Sequence, residues 1–213
     1  MKKKSVIIAA GLLMYAMAAS EMPEQKNMES LAIAAEGIFK QEETVANNMN
    51  TVLLLQEERW QELELTERMQ VLQTVADIEA DYLGLPNKLE VKLADLEEEV
   101  LGRYFDAAQT IQINQKHFWN STAEQLVNAV CHEVRHSYQF RLVDVYRNMD
   151  ADYLELRIFQ EIATYEEEFN NYIDPLEDFE GYYYQECEID AREYSEWATR
   201  DYYKKIYEYF MNL

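Results

Sequence analysis

Cys131-His132-Glu133-Val134-Arg135-His136 sets two histidines four residues apart inside a run that reads as helix. At that spacing both imidazoles leave the same helix face, one turn apart, and can bind one metal ion. Glu133 follows the first histidine and lies about 100° round the helix by the helical repeat. From there it can reach a metal-bound water without being a ligand itself. A Lewis acid and a general base delivered by one rigid element is what a hydrolytic zinc site needs.

The flanking sequence frames that helix. Ser121 and Glu124 make an S-x-x-E capping box, followed by the apolar residues Leu126, Val127, Ala129 and Val130. Asn120-Ser121-Thr122 also matches a glycosylation acceptor, but capping accounts for the serine more simply. Upstream the period changes. Leu89, Val91 and Leu93 alternate with polar residues, as do Ile111 and Ile113, with turn signals at Gly102 and over Asp106-Ala107-Ala108-Gln109. This predicts a small antiparallel sheet or hairpin across about 88–114.

From Leu31 to Tyr82 helical periodicity dominates. Thr66 is a candidate cap for a stripe of Met69, Leu72, Val75, Ile78 and Tyr82, which Gly84 and Pro86 stop. Beyond residue 145 the chain is acidic, tyrosine-rich and helical, with breaks near Asn170–Pro175 and Gly181. Tyr202, Tyr203, Tyr207 and Tyr209 read as packing residues of an amphipathic C-terminal helix. The expected class is α+β, mainly α, with the small sheet before the motif helix and a helical C-terminal part.

The 213 residues carry a formal net charge of -22. Phosphate recognition needs clustered Lys and Arg, so nucleic acid is not an expected partner, nor is an anionic membrane surface. Lys2, Lys3 and Lys4 precede an apolar run from Val6 to Ala19, and Ala16-Met17-Ala18 matches a small-x-small cleavage site. Residues 1–18 therefore read as a secretory signal peptide, 19–30 as a linker and 31–213 as a single domain. The expected location is extracytoplasmic, with membrane attachment only through an uncleaved N-terminal segment. Cys131 and Cys187 are the only cysteines. After export they can pair or remain as two buried thiols.

A catalytic zinc usually takes three protein ligands and one water. No histidine follows His136, and His117 precedes the helix, so the third ligand has to be a carboxylate from the acid-rich tail. One stretch stands out, Glu186-Cys187-Glu188-Ile189-Asp190-Ala191-Arg192-Glu193-Tyr194-Ser195. Ala191 permits close helix approach, and Arg192 lies one turn from Glu188 and can hold its carboxylate. Asp190 is suited to accept a bond from the outer N–H of a ligand histidine. Glu186, Glu188 and Asp190 all remain candidate ligands on these grounds.

The pair of motifs, HEVRHSYQ and then ExDAxxYS, resembles the zincin metallopeptidases of gluzincin-like type. It is similar in particular to small bacterial ImmA/IrrE-type peptidases, whose HExxH is completed by a glutamate in an E-x-x-A-x-x-[FY]-[AS] helix. The resemblance implies a zinc held by His132, His136 and Glu188, with Glu133 as general base and a peptide or protein substrate. It further implies that the strand over 110–114 pairs with an extended peptide by edge addition. Arg135 and Arg192 depart from the family pattern, and a signal peptide does not fit intracellular regulators. Tyr194, Arg192 and His117 are the candidates for stabilising the oxyanion. The competing readings are a non-catalytic zinc-containing binding or adaptor protein, and an amidase acting on cell-wall peptides.

Overall fold

The computed structural model describes residues 43–149 and 159–212. The expected signal peptide and linker lie outside them. Short helices α1 (Met49–Val52) and α2 (Glu57–Trp60) flank a 3-10 turn over Leu53–Leu55. There follow α3 (Leu65–Leu83), β1 (Glu90–Ala94), β2 (Gly102–Phe105), β3 (Thr110–Asn114) and the single turn α4 (Gln115–Phe118). The second half holds α5 (Ala123–Arg147), α6 (Gln160–Asn170), the short α7 (Phe179–Tyr183) and the long α8 (Glu186–Met211). The fold is α+β and mainly α, as its periodicities predict.

Two helix starts fall beside the residues expected to cap them. For α3 the cap is Glu64, not Thr66: the Glu64 side chain accepts from the backbone of Glu67, whose carboxylate accepts from Glu64 N at 2.8 Å. For α5 the box is Thr122 with Gln125, one residue beyond the expected Ser121 and Glu124. Thr122 Oγ1 accepts from Gln125 N at 3.2 Å, and Gln125 Oε1 accepts from Thr122 N at 2.9 Å. Ser121 instead donates to His117 O at 3.0 Å, closing the preceding turn. Gly84 ends α3 at φ 70°, the left-handed conformation that glycine adopts without strain.

The α3 stripe faces the core through Leu72, Val75 and Ile78, while Tyr82 turns out to solvent, 58% exposed. Helix α5 packs between α3 and α8. Leu126, Val127, Val130 and Val134 from α5 are buried there with Ala191, Ala198 and Tyr202 from α8. Each of the buried leucine and valine side chains contributes roughly 1.5–3 kcal/mol by leaving water. Of the other C-terminal tyrosines expected to pack, Tyr207 and Tyr209 are exposed.

The sheet has the order β1-β3-β2 and is mixed. The antiparallel pair is β2 with β3, Gly102 opposite Ile113. Gly102 reads as a turn in the sequence, and the two alternating runs, now β1 and β3, are the ones expected to pair that way. β1 joins parallel to β3, Val91 opposite Ile111 and Leu93 opposite Ile113. Alternation of apolar residues reports which face is buried, not strand direction, so the parallel pairing has no sequence signature. Gln73 of α3 ties the sheet to the helix, donating to Leu89 O at 2.7 Å and accepting from Val91 N at 2.9 Å. Asn114, fully buried, donates to Glu97 O and Val100 O, both at 2.8 Å, and so shapes the loop before β2.

Because β3 is the middle strand, both its edges are occupied, and it cannot take a peptide by edge addition as the resemblance implied. Among the described residues, the outer edge of β2 is open. Cys131 and Cys187 are buried and free, so no disulfide joins α5 to α8. Among the described residues no helix is long and apolar enough to cross a membrane.

Candidate metal centre

His132 and His136 lie on consecutive turns of α5, their rings nearly perpendicular with centroids 4.6 Å apart. Glu188 reaches them from the first turn of α8. That turn is fixed by Glu168 of α6, whose carboxylate accepts from Glu186 N at 2.7 Å and Cys187 N at 2.8 Å. An acceptor there satisfies free N–H groups at the positive end of the helix.

The two Nε2 atoms stand 3.0 Å apart. Glu188 Oε2 is 3.3 Å from His132 Nε2, and Oε1 is 3.3 Å from His136 Nε2. Glu188 is 1% exposed, and its buried Oε2 makes no hydrogen bond. Such an orphaned carboxylate oxygen is costly unless something cationic meets it. Tetrahedral ligation with bonds of about 2.1 Å sets ligand atoms about 3.4 Å apart. These separations, and an N₂O donor set within 4.8 Å, fit one divalent cation.

The hydrogen bonds behind His136 fix its tautomer. Gln139, fully buried, donates through Nε2 to Cys187 O and to Asp190 Oδ2, both at 2.8 Å. Its Oε1 therefore faces His136 Nδ1 at 2.8 Å and must accept from it. With the proton on Nδ1, Nε2 presents its lone pair to the cluster. Asp190 in turn accepts from Arg135 Nε at 2.7 Å and Nη2 at 2.8 Å. Burial works against the His136 imidazolium, but hydrogen bonding and charge from Glu188 outweigh it and push the pKa up to about 9. Burial likewise opposes the Glu188 carboxylate, yet the two histidines hold it well below the usual range.

Glu133 is 6% exposed and makes no hydrogen bond among the described residues. It lies against β2 at Gly102, where a Cβ would stand 3.3 Å from Oε1. A carboxylate with no hydrogen-bond partner, beside a cluster able to hold a metal ion, is available to take a proton.

The other sequence candidates are engaged elsewhere. Tyr194 donates to Glu79 Oε2, deep between α3 and α8. Arg192 donates to Tyr183 O and lies over the Tyr183 ring at 4.0 Å, with no hydrogen bond to Glu188. His117 meets Glu98 O. Asp190 reaches His136 only through Gln139, and Arg135 claims its carboxylate. Glu186 is on the surface.

The sequence reading missed Tyr172 and Gln139. Tyr172 donates to Glu188 Oε1 at 2.9 Å, and Tyr182 packs edge-on against it at 6.2 Å. Burial first, then the Glu188 charge, raises both phenols, so they are donors at neutral pH. Gln139 lies three residues beyond His136 on the same face, a spacing that was there to be read. Tyr172 follows α6 in an irregular segment with no period to mark it. Comparison with family models, with curated proteins and with solved structures finds no match.

Proposed function

We propose that this chain is an exported zinc-dependent peptidase, hydrolysing peptide bonds in a peptide or protein substrate. The observation that carries the reading is the convergence of His132, His136 and Glu188 with a neighbouring Glu133 that nothing else occupies. His132 and His136 offer Nε2, and Glu188 offers the orphaned Oε2. A cation held there supplies Lewis acidity, making a water nucleophilic near neutral pH and polarising a carbonyl.

Glu133 takes the proton of the attacking water and passes it to the leaving amine. Tyr172 keeps Glu188 Oε1 occupied, leaving Oε2 for the cation. The open edge of β2 supplies backbone groups to an extended peptide beside Glu133, which selects for main chain over side chain. Export is read from the lysines and apolar run of residues 1–18.

The test is Glu133→Gln, assayed for metal content and for hydrolysis of an unfolded protein such as casein. Metal at the wild-type level with hydrolysis abolished supports the reading. Undiminished hydrolysis by the variant removes it.

A further inference from the structure

We propose that Gln139, backed by the Arg135–Asp190 ion pair, is a positioning residue that sets the metal affinity of the His132, His136 and Glu188 centre. The proposal rests on the metal-site reading above. Asp190 Oδ2 and Cys187 O each stand 2.8 Å from the Gln139 amide nitrogen, so the amide has one allowed orientation. In the flipped orientation its oxygen would face a carboxylate oxygen and a carbonyl. The permitted one fixes Nδ1–H on His136 and aims Nε2 at Glu188 and His132. A ring free to rotate or to carry its proton on Nε2 would lose that lone pair.

Arg135 keeps the acceptor in place. It holds both Asp190 oxygens through Nε and Nη2, is 5% exposed, and lies over the Tyr138 ring at 4.8 Å and the Tyr194 ring at 5.1 Å. The chain from Arg135 to His136 begins and ends on α5 but passes through Asp190 on α8, the helix that carries Glu188. One buried network thus aligns ligands from two helices. It also gives a physical reason for a charged residue inside the HExxH pattern.

The experiment measures zinc affinity of the whole chain by competition with a chromogenic chelator, and the visible spectrum of the cobalt-loaded protein. Gln139→Leu is expected to weaken zinc binding by about 10- to 100-fold and to change the cobalt spectrum. Asn128→Ala is the structural control. It cuts a 3.2 Å bond to Ser195 between the same two helices, and is expected to leave affinity and spectrum unchanged. A folded Gln139→Leu protein with wild-type affinity and spectrum overturns the proposal. If that variant does not fold, Asp190→Asn serves, since it keeps the shape but leaves Arg135 and Gln139 one acceptor oxygen. Wild-type affinity there overturns it equally. Wild-type protein that takes up neither zinc nor cobalt overturns the metal-site reading itself, and the proposal with it.

Discussion

His132 Nε2 and His136 Nε2 face each other at 3.0 Å. The Gln139 bond leaves His136 Nε2 without a proton in the neutral ring, so the pair is comfortable only when a proton or a metal ion sits between the lone pairs. The two occupants compete, and metal uptake near neutral pH is expected to release a proton. Calorimetry in two buffers of different ionisation enthalpy checks this.

The same competition sets how the metal-free protein responds to pH. The raised His136 value contributes stability that is full below 6.5 and is lost as pH rises through about 9. The lowered Glu188 value contributes stability present above 4.5 and lost as pH falls through its depressed value. Chelator-treated protein is therefore expected to gain most from this pair between about pH 4.5 and 6.5. Glu188→Gln flattens the profile. A metal-free Tm that climbs from pH 6.5 to 9, with Glu188→Gln climbing in parallel, contradicts the assignment.

Gly102 leaves room for Glu133, the proposed general base. A valine there brings carbon to 3.3 Å from Glu133 Oε1 and presses the carboxylate off its line. The carboxylate must then give by a few tenths of an ångström, and the cost of about 100-fold in turnover for a misplacement of about 1 Å bounds the loss from above. Gly102→Val is expected to lose activity in that range while keeping its metal, and kcat measured beside metal content decides it.

Tyr172 is half-exposed, so Tyr172→Phe removes a hydroxyl with little effect on folding. Without that donor Glu188 Oε1 is free to swing, and metal affinity is expected to fall about tenfold. Chelator competition at constant pH reads the change. Unaltered affinity would mean that Glu188 needs no such hold.

Tyr194 separates a structural from a catalytic role. Tyr194→Phe deprives the buried Glu79 of its donor, at an expected cost of about 1–3 kcal/mol in stability. Metal content and kcat are expected to stay at wild-type levels. A drop in kcat with unchanged Tm would return Tyr194 to the reaction.

Local pattern made much of this molecule legible. The HExxH spacing placed His132, Glu133 and His136 on one helix, and period-2 alternation located β1 and β3. β2 went unmarked, because Gly102 reads as a turn and no apolar alternation runs through Gly102–Phe105. The glycine after α3 marked its end. The rest depended on long-range pairing. Nothing in Val91 or Leu93 says that β1 runs parallel to β3, and so nothing said that β3 would be the middle strand and β2 an edge. Tyr194 and Arg192 looked suitable by distance along α8, but each is claimed by a partner remote in sequence or outside its helix. Asp190 was expected to touch a ligand histidine directly, and the intervening Gln139 shows how one side-chain length separates helix axes from hydrogen-bond partners.

The free thiols of Cys131 and Cys187 carry a practical consequence. With no sulfur bridge between α5 and α8, a bound ion would be the one cross-link reinforcing the packing and the polar bonds that already join those distant segments. Such a fastening ignores the redox state of its surroundings and answers to metal supply. The folded centre would survive reductants that open disulfide-bonded proteins, and would loosen where a competitor strips the ion. Abundance of active protein would then track the availability of a trace nutrient.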